Sequence, residues 1–348
     1  MDLCTFVGQD FCQVLSFLGG ERVKIIPDNA QALGTRERQE DSFAFSNFDD
    51  PKLIKERGYV AIVADGMGGL SWGKEASETV VQSFLDSYQN ITPFEDIIHL
   101  LQVSLQNAND MVRNMAIEKG KVNQTGTTLA AAAILEDSLY WISVGDSRIY
   151  LYRDSELIQL TEDHQYSKLL YEEVMKENIT KEEADSHPQK NALISFLGLS
   201  SLPEIDFNVQ AFKLNEGDTI LLCSDGLHGF ISDEEIAAVL MEHRPYAAHP
   251  LTNVALKKKH PYQDNITVAT LTCMEESSTP ASAPNGSKET SLTKNGKWTI
   301  IIPVLLIFII GISLILVIQN TEYEKWRTLF QKEEPITHEN GRKEGDNR

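Results

Sequence analysis

Two apolar runs in this sequence each end on an Asp-Gly pair. The runs "VAIVADG" at 60–66 and "TILLCSDG" at 219–226 place Asp65 and Asp225 directly after strand-like segments. A single Asp-Gly pair is typical of an ordinary turn. Two strands that each deliver a carboxylate to a sheet edge, however, can bring the two acids together. Carboxylates in apolar surroundings need cations or protons to stabilise them, so this pattern indicates a site for charged chemistry.

Two more acid clusters lie at strand boundaries. "RERQED" at 36–41 precedes the strand "SFAF" and contains Glu40 and Asp41, and "QDNITVATL" from 263 brings Asp264 to the last strand. Oxygen ligands of this kind suit hard divalent ions such as Mg²⁺ and Mn²⁺. We therefore interpret the acids as a metal-binding constellation.

The charge of the chain excludes nucleic acid as a partner. Of the net charge of −20, about −19 falls in residues 1–271, because residues 272–297 carry three basic and three acidic groups and residues 319–348 carry six and seven. A nucleic-acid binder needs a concentrated basic face to neutralise phosphates. A metal-dependent nuclease, which also uses paired acids, is disfavoured for the same reason.

The cysteines and the N-terminus favour a cytosolic domain. Cys4, Cys12, Cys223 and Cys273 show no Cys-x-x-Cys spacing and read as reduced structural thiols. The start "MDLCTFVGQDF" has no basic region ahead of an apolar core, so it is not a signal peptide.

The C-terminal quarter of the sequence predicts a membrane anchor. Residues 274–297 are rich in Ser, Thr, Pro and Gly, which is typical of a flexible linker. Residues 298–318 are uncharged and, at about 1.5 Å per residue, span roughly 30 Å as one transmembrane helix. Residues 319–348 form a polar charged tail. Flanking basic residues do not decide the orientation, so we place the large domain in the cytoplasm from its lack of a signal peptide and of disulfide-like cysteine usage.

The domain itself, residues 1–273, mixes helices and strands. Helical periodicity runs through two segments separated by "NITPF", which predicts an antiparallel helix pair covering a sheet. From Thr128 the runs "TLAAAAIL", "LYWISV", "IYLY" and "LIQL" alternate with turn residues and are interpreted as a β-meander. Further strands follow at "TILLCSD" and "NITVATLT". The fold class is α+β, with helices and antiparallel strands in separate layers.

Seven short motifs, in order over residues 30–272, resemble the metal-dependent serine/threonine protein phosphatases (the PPM, or type 2C, family). They are "GTRERQEDSF", "VADGMGG" followed by "GKEAS", "TGTTLAAA", "VGDSRIYLY", "LTEDH", "LLCSDGLHG" and "DNITV". The resemblance implies a four-layer α-β-β-α sandwich and hydrolysis of phosphoserine or phosphothreonine. The "DGMGG" form is similar to that of bacterial members.

The resemblance also implies a role for each acid. Asp65 would bridge two Mn²⁺ or Mg²⁺ ions, the Gly66 carbonyl and Glu40 would complete one site, and Asp225 and Asp264 would hold the other ion. A water that bridges the two ions would then attack phosphorus directly.

Three further residues take roles from the same resemblance. Arg36 would bind the substrate phosphate and, with Asp65, act in catalysis. Asp146 of "GDSR" would help Asp225 bind a weaker third ion, and Asp41 would orient metal-bound water from behind the ligands. Some family members carry a histidine general acid where this chain has Met67, so the leaving-group proton must come from water or elsewhere.

Other polar residues receive a structural interpretation. His164 is interpreted as a loop or capping residue, and Arg148 as the partner of a neighbouring acid. Residues 161–198 resemble the flap of the family, a segment beside the active site that influences substrate choice.

The expected protein is a single-pass membrane phosphatase, in a bacterial inner membrane, acting on phosphorylated proteins beside a cognate Ser/Thr kinase. The alternative is a catalytically silent phosphoprotein-binding module with the same fold. Such modules usually lose one or more metal acids, and all of Glu40, Asp65, Asp225 and Asp264 are present here.

Overall fold

The computed structural model describes residues 24–67, 72–122 and 124–274, all within the unit Met1–Thr279. The strands in these ranges are β1 (Lys24–Ala32), β2 (Ser42–Phe45), β3 (Tyr59–Ala64), β4 (Gly66–Met67), β5 (Gly126–Thr127), β6 (Leu129–Leu135), β7 (Ser138–Val144), β8 (Arg148–Arg153), β9 (Glu156–Gln159), β10 (Asp206–Phe207), β11 (Phe212–Lys213), β12 (Thr219–Cys223) and β13 (Ile266–Met274). The helices are α1 (Pro51–Arg57), α2 (Trp72–Asn90), α3 (Ile97–Glu118), α4 (Tyr166–Met175), α5 (Lys181–Ser186), α6 (Asp225–His228), α7 (Asp233–His243) and α8 (Ala248–Lys257).

Two antiparallel sheets form the centre of the domain. The first has the strand order β1-β13-β12-β8-β9, and the second has the order β10-β7-β6-β3-β2, with β11 also paired to β7. The long strands are in register over most of their length. For example, Ile220 of β12 lies opposite Leu271 of β13 and Leu151 of β8. The strands that carry Asp65 and Asp225 therefore belong to different sheets.

The two sheets pack face to face, and this explains the nearly continuous apolar sequence of β3 and β6. Along β3, Ala61 and Val63 point into the core between the sheets, whereas Val60 and Ile62 point into the core beneath the helices. A strand covered on both faces has no position for a polar side chain. In β6 the four consecutive alanines, residues 130–133, are fully buried, with alternate members in each core.

Helices cover the outer face of each sheet. Helices α2 and α3 pack on the second sheet through apolar residues that include Phe84 and Leu101, and α7 and α8 pack on the first through residues that include Leu240 and Leu251. The order of layers is α-β-β-α, so the predicted four-layer sandwich and the predicted helix pair are confirmed. Cys223 and Cys273 are buried free thiols, as predicted.

The predicted single meander is wrong. Strands β6 and β7 pair in one sheet, but β8 and β9 pair in the other. The chain changes sheets at the "GDSR" turn, where Gly145 adopts a φ of +100° and a Cβ atom would lie 2.6 Å from Cγ2 of Thr128. Turn residues between apolar runs indicate a reversal of the chain and do not specify whether the next strand returns to the same sheet.

Within the described residues, no helix has the length and apolarity to cross a bilayer. The predicted membrane helix, residues 298–318, lies outside the described residues. The same holds for residues 1–23, for the linker from residue 275 and for the tail, so the predictions made for these segments stay predictions.

Close packing between the sheets leads to a test at Ala132, which is fully buried in the core between them. Replacing Ala132 with leucine should lower the free energy of unfolding by about 1–3 kcal/mol, because extra methylenes in a filled core force neighbouring atoms to move. Urea unfolding followed by circular dichroism measures the change. Ala238→Leu, on the exposed side of α7, is the matched control and should change stability by no more than about 0.5 kcal/mol. Equal effects at the two positions would contradict tight packing between the sheets.

Candidate active site

The predicted acids meet in one cleft of about 410 Å³ at the edge of the two sheets. Its lining includes every predicted metal-site residue except Asp41, together with the predicted phosphate-binding arginine. These residues are Arg36, Glu40, Asp65, Gly66, Asp146, Asp225 and Asp264. The cleft is also lined by Met67, Thr128, Asn191, Leu193, Phe196 and Asn265, to which the sequence analysis gave no site role.

Strand ends from both sheets deliver the acids. Asp65 follows β3 of the second sheet, while Asp225 opens α6 directly after β12 and Asp264 lies two residues before β13, both in the first sheet. Glu40 lies two residues before β2, and Asp146 lies in the turn between β7 and β8. Residues far apart in sequence therefore reach one cleft because the ends of neighbouring strands share an edge.

Threonine hydroxyls hold the backbone at Asp65. Its N–H donates to Oγ1 of Thr128 over 2.9 Å, and its carbonyl oxygen accepts from the Thr128 N–H at 2.9 Å and from Oγ1 of Thr127 at 2.8 Å. These contacts explain the "TGTT" motif. Sequence reasoning gave these threonines no role, because their partner lies more than sixty residues earlier.

Glycines at the cleft allow backbone segments to approach closely. A Cβ atom on Gly66 would lie 2.1 Å from the Gly73 carbonyl oxygen, and one on Gly226 would lie 1.8 Å from the Asn265 carbonyl oxygen. Both positions therefore require glycine for reasons of packing. The glycines after Asp65 and Asp225 thus make room for neighbouring backbone.

Asn265 fixes the Glu40 segment and was missed as a site residue. Its Oδ1 accepts from the Glu40 N–H at 2.8 Å, and its Nδ2 donates to the carbonyl oxygens of Leu33 at 3.1 Å and Arg38 at 3.0 Å. One buried amide thus joins the loop before β2 to the loop before β13. The Asp-Asn pair in "DNITV" is the signal that could have identified it.

Asp41 lies behind the cleft and is buried. Its Oδ2 accepts hydrogen bonds from Oγ of Ser224 at 2.7 Å and from Oγ1 of Thr267 at 2.8 Å. Burial raises the pKa of Asp41 to about 6, although these two hydrogen bonds oppose the rise. The position agrees with a supporting role, since Ser224 directly precedes Asp225.

The five carboxylates in the cleft outnumber its one arginine. Burial raises the pKa of Asp225 to about 7, and repulsion from Asp146 and Asp264 adds to the rise. Burial and the neighbouring acids also raise the pKa of Asp65 well above its ordinary range, and burial raises that of Asp146. In addition, Oδ1 of Asp225 is buried with no hydrogen-bond partner. A buried, unsatisfied carboxylate oxygen among other acids fits a divalent cation.

The acids converge without closing on one point. Among the described residues, no three His, Cys, Asp or Glu side chains already form a group that could hold a metal ion. One cause is local pairing. The guanidinium of Arg36 donates to Oδ2 of Asp264 at 2.6 Å, and the amide of Gln165 donates to Oδ2 of Asp146 at 2.7 Å. The carboxylates thus have the right chemistry to bind a divalent cation, and two of them, Asp264 and Asp146, are hydrogen-bonded to other side chains.

Two histidines support the turn that carries Asp146. The Gly145 N–H donates to Nδ1 of His164 at 3.1 Å, and Nε2 of His228 donates to the Asp146 carbonyl oxygen at 3.0 Å. Burial lowers the pKa of both histidines to about 4, so they are neutral at pH 7. Neither lines the cleft. The interpretation of His164 as a structural residue is confirmed, while His228 was not considered.

Arg148 pairs with an acid, as predicted. Its Nε and one terminal nitrogen donate to the two carboxylate oxygens of Asp163 at 2.9 and 2.6 Å. The segment that follows, residues 161–198, contains α4 and α5 and supplies Asn191, Leu193 and Phe196 to the cleft. It therefore lies beside the cleft, as expected for the predicted flap.

Comparison with known proteins supports the same conclusion as the geometry. The family model for Protein phosphatase 2C matches residues 33–260. The serine/threonine phosphatase stp of Listeria innocua is 36% identical over 219 residues, which cover 62% of this chain and 84% of that protein. The serine/threonine phosphatase of S. agalactiae has a solved structure with a TM-score of 0.62 and 30% identity, covering 72% of this chain and 99% of that one.

The catalytic domain of the serine/threonine protein phosphatase PstP, solved with two manganese ions, has a TM-score of 0.57 and 29% identity and covers 73% of this chain and 99% of that one. The family model spans most of the described domain and includes β3 and β12, the strands that precede Asp65 and Asp225. The chain belongs to the protein phosphatase 2C family of metal-dependent protein phosphatases.

Proposed function

We propose that this chain hydrolyses phosphoserine and phosphothreonine in proteins by direct attack of water on phosphorus. The observation that carries the proposal is the meeting of five carboxylates from both sheets in one cleft beside Arg36. Arg36 is the one arginine among the described residues that line this cleft. Relatives named serine/threonine phosphatases support the substrate class.

The carboxylates are proposed to hold two divalent cations. Asp65, Glu40, Asp225 and Asp264, together with the Gly66 carbonyl, would hold them. The uncompensated buried charge of the cluster supports this assignment, and the manganese ions of the PstP structure support Mn²⁺, although Mg²⁺ suits the same oxygen ligands. Asp146, beside Asp225, would contribute to a weaker third site.

When bound, the divalent cations would lower the pKa of a water nucleophile and offset charge on the phosphoryl oxygens. The protein positions the substrate. Arg36 has five N–H donors on a planar fork, and its contact with Asp264 uses one terminal nitrogen, so other donors can bind a phosphate. Asp41, held by two hydroxyls behind the cleft, would orient the attacking water through the residues in front of it.

Among the described residues that line the cleft, none is a histidine or a cysteine. His164 and His228 are neutral, buried and outside its lining, so neither can protonate a leaving group there. Met67, which does line it, has no proton to give. Cys223 is fully buried, and burial raises the pKa of its thiol far above the ordinary value. We therefore expect the leaving-group proton to come from water or elsewhere, and no phosphocysteine to form.

The C-terminal segment is proposed to hold the phosphatase on a membrane. Residues 298–318 would span a bacterial inner membrane with the domain in the cytoplasm, where it would act on phosphorylated proteins and beside a cognate Ser/Thr kinase. Tethering raises the local concentration of enzyme near substrates in the same membrane.

The central role of Asp65 is tested with the full-length chain. We expect Mn²⁺-dependent hydrolysis of p-nitrophenyl phosphate and of a phosphothreonine peptide, and a loss of at least about 100-fold in kcat/KM on Asp65→Asn, because one oxygen ligand is removed and charge in the transition state loses support. Asp110→Asn, an exposed acid on α3, is the control and should leave kcat/KM unchanged. A folded wild-type protein without turnover at any Mn²⁺ or Mg²⁺ concentration would favour the silent phosphoprotein-binding module.

The crowded acids should make the metal-free protein sensitive to pH. The folded-state pKa of Asp225, about 7, exceeds its ordinary value, so folding takes up a proton between the two values and stability falls as the pH rises from about 4 to about 7. Asp225→Asn removes this loss and should raise the free energy of unfolding at pH 8 by about 1–4 kcal/mol, since each pH unit between the two pKa values is worth about 1.4 kcal/mol.

The gain at Asp225 should be much smaller at pH 5. Urea unfolding in EDTA at pH 5 and pH 8 measures the difference in the free energy of unfolding between Asp225→Asn and the wild type. The histidines are the same in both proteins, so their contributions to stability cancel. Asp110→Asn should shift stability by no more than about 0.5 kcal/mol at either pH. A variant Asp225→Asn that is less stable than the wild type at pH 8 would refute the repulsion argument.

The tether has its own test. Deleting residues 298–348 should move the enzyme from the membrane fraction to the soluble fraction and increase phosphothreonine on membrane proteins, while turnover of a soluble peptide is retained. Fractionation and phosphothreonine immunoblots measure both. Unchanged dephosphorylation of membrane substrates by the shortened chain would count against the tether.

A further inference from the structure

A positively charged segment leads along the chain to Asp264 of the acidic cleft, and the proposed reaction does not use it. Residues 257–260 read Lys-Lys-Lys-His and are exposed, in a domain region of net charge about −19. They are the one run of three consecutive basic residues in the sequence. Lys258 is neutralised by Glu235, with Nζ 2.6 and 2.9 Å from the two carboxylate oxygens. In the described part of the chain, Lys257 and Lys259 form no ion pair.

An exposed aromatic group completes this surface. The ring of Tyr262 is 6.3 Å from that of His260, which in turn lies 5.1 Å from the ring of Phe230. Tyr262 is 82% exposed, yet its loop is anchored by the Tyr262 N–H, which donates to Nδ1 of His260 at 3.2 Å. A fixed, exposed aromatic residue loses little conformational entropy on binding and is a frequent contributor to recognition. Lys257, Lys259 and Tyr262 are called the cationic rim below.

The cationic rim is attached to the cleft through Gln263. The buried side-chain amide of Gln263 donates to the Gly226 carbonyl oxygen at 3.0 Å. The backbone carbonyl oxygen of Gln263 accepts from the Thr35 N–H at 2.9 Å and from Oγ1 of Thr35 at 3.0 Å. Arg36 and Asp264, the next residues on the two loops, both line the cleft. The loop that bears the cationic rim is therefore fixed to the loop that bears the predicted phosphate-binding arginine.

The spacing suits an extended peptide. Lys259 and Asp264 are five positions apart in the sequence, and a chain of that length spans at most about 18 Å. A substrate with its phosphate at Arg36 can therefore place residues about three to five positions from the phosphorylated residue on the cationic rim. Because the domain as a whole is strongly acidic, the unpaired cations Lys257 and Lys259 would attract acidic residues that much of the remaining surface repels.

We propose that the cationic rim selects protein substrates with acidic residues near the phosphorylated serine or threonine. This inference rests on the proposed phosphatase function and adds the class of substrate sequence that the cleft accepts. Lys257 and Lys259 would attract Asp or Glu side chains of the substrate, and Tyr262 would pack against the peptide. These residues determine specificity and have no part in the chemical step.

The test is a cycle of enzyme and peptide variants. Two phosphothreonine peptides are compared, one with Asp and Glu flanking the phosphothreonine and one with Asn and Gln at the same positions. For the wild type we expect kcat/KM to be about 5- to 20-fold higher for the acidic peptide, mainly through a lower KM. This ratio corresponds to about 1–1.7 kcal/mol, as expected for one to two close charge pairs. In Lys257→Glu/Lys259→Glu the ratio should fall to 1 or below.

Using the ratio of the two peptides removes any general loss of activity in a variant. Lys55→Glu is the charge-matched control. Lys55 is an exposed residue of α1 just before the start of β3, whereas Asp65 follows the other end of β3, so the length of that strand separates Lys55 from the cleft acid. It should keep the wild-type ratio. A wild-type ratio near 1, or a ratio unchanged in Lys257→Glu/Lys259→Glu, would overturn the inference.

A binding assay separates this inference from the proposed function. Fluorescence anisotropy measures the affinity of each labelled peptide for Asp65→Asn, so binding is compared without turnover. The same measurement is repeated with Asp65→Asn combined with Lys257→Glu/Lys259→Glu. Preference for the acidic peptide that is lost on charge reversal would support the cationic rim even if the wild type showed no hydrolysis. Equal affinity for the two peptides would overturn it even if hydrolysis were rapid.

Discussion

The structure depends on one unfavourable arrangement, the burial of several carboxylates next to one another. Asp65, Asp225 and Asp146 are all buried or nearly so; Asp146 and Asp225 both raise the pKa of Asp65, and Asp146 raises that of Asp225. An arrangement of this kind opposes folding unless the surrounding structure holds it in place. Around this cleft nearly every backbone segment is fixed by a side-chain hydrogen bond, and the strands that carry the acids are anchored in two filled cores.

The hydrogen bonds around the cleft fix the positions of backbone segments more than they neutralise the charge of the carboxylates. Thr127 and Thr128 hold the backbone of Asp65, Asn265 holds that of Glu40, and His164 and His228 hold the turn of Asp146. Few of these bonds touch the carboxylate oxygens themselves. The oxygens of the central acids therefore stay available to a cation, and the supporting residues restrict where it can bind.

Sequence patterns identified the acids well, because strand ends and Asp-Gly pairs leave local signals. They also predicted the layers, since a strand covered on both faces must be apolar throughout and a covering helix must have an apolar stripe. They failed where the answer depends on partners distant in the chain. The partition of β6–β9 between two sheets and the roles of Thr128, Asn265 and Gln165 all follow from contacts that leave no periodic mark. The close approach of the Gly73 carbonyl to Gly66 is another such contact.

The division of the acids between two sheets has a consequence for how this enzyme can vary. Asp65 is carried by one sheet and Asp225 and Asp264 by the other, and the distance between them is fixed by the side chains between the sheets, among them the alanines of β6. The width of the cleft is thus a property of an interior region that touches neither substrate nor ion. Substitutions there would be selected for the geometry of the reaction as well as for stability, and two lineages with identical cleft residues could differ in rate because their interiors differ in thickness.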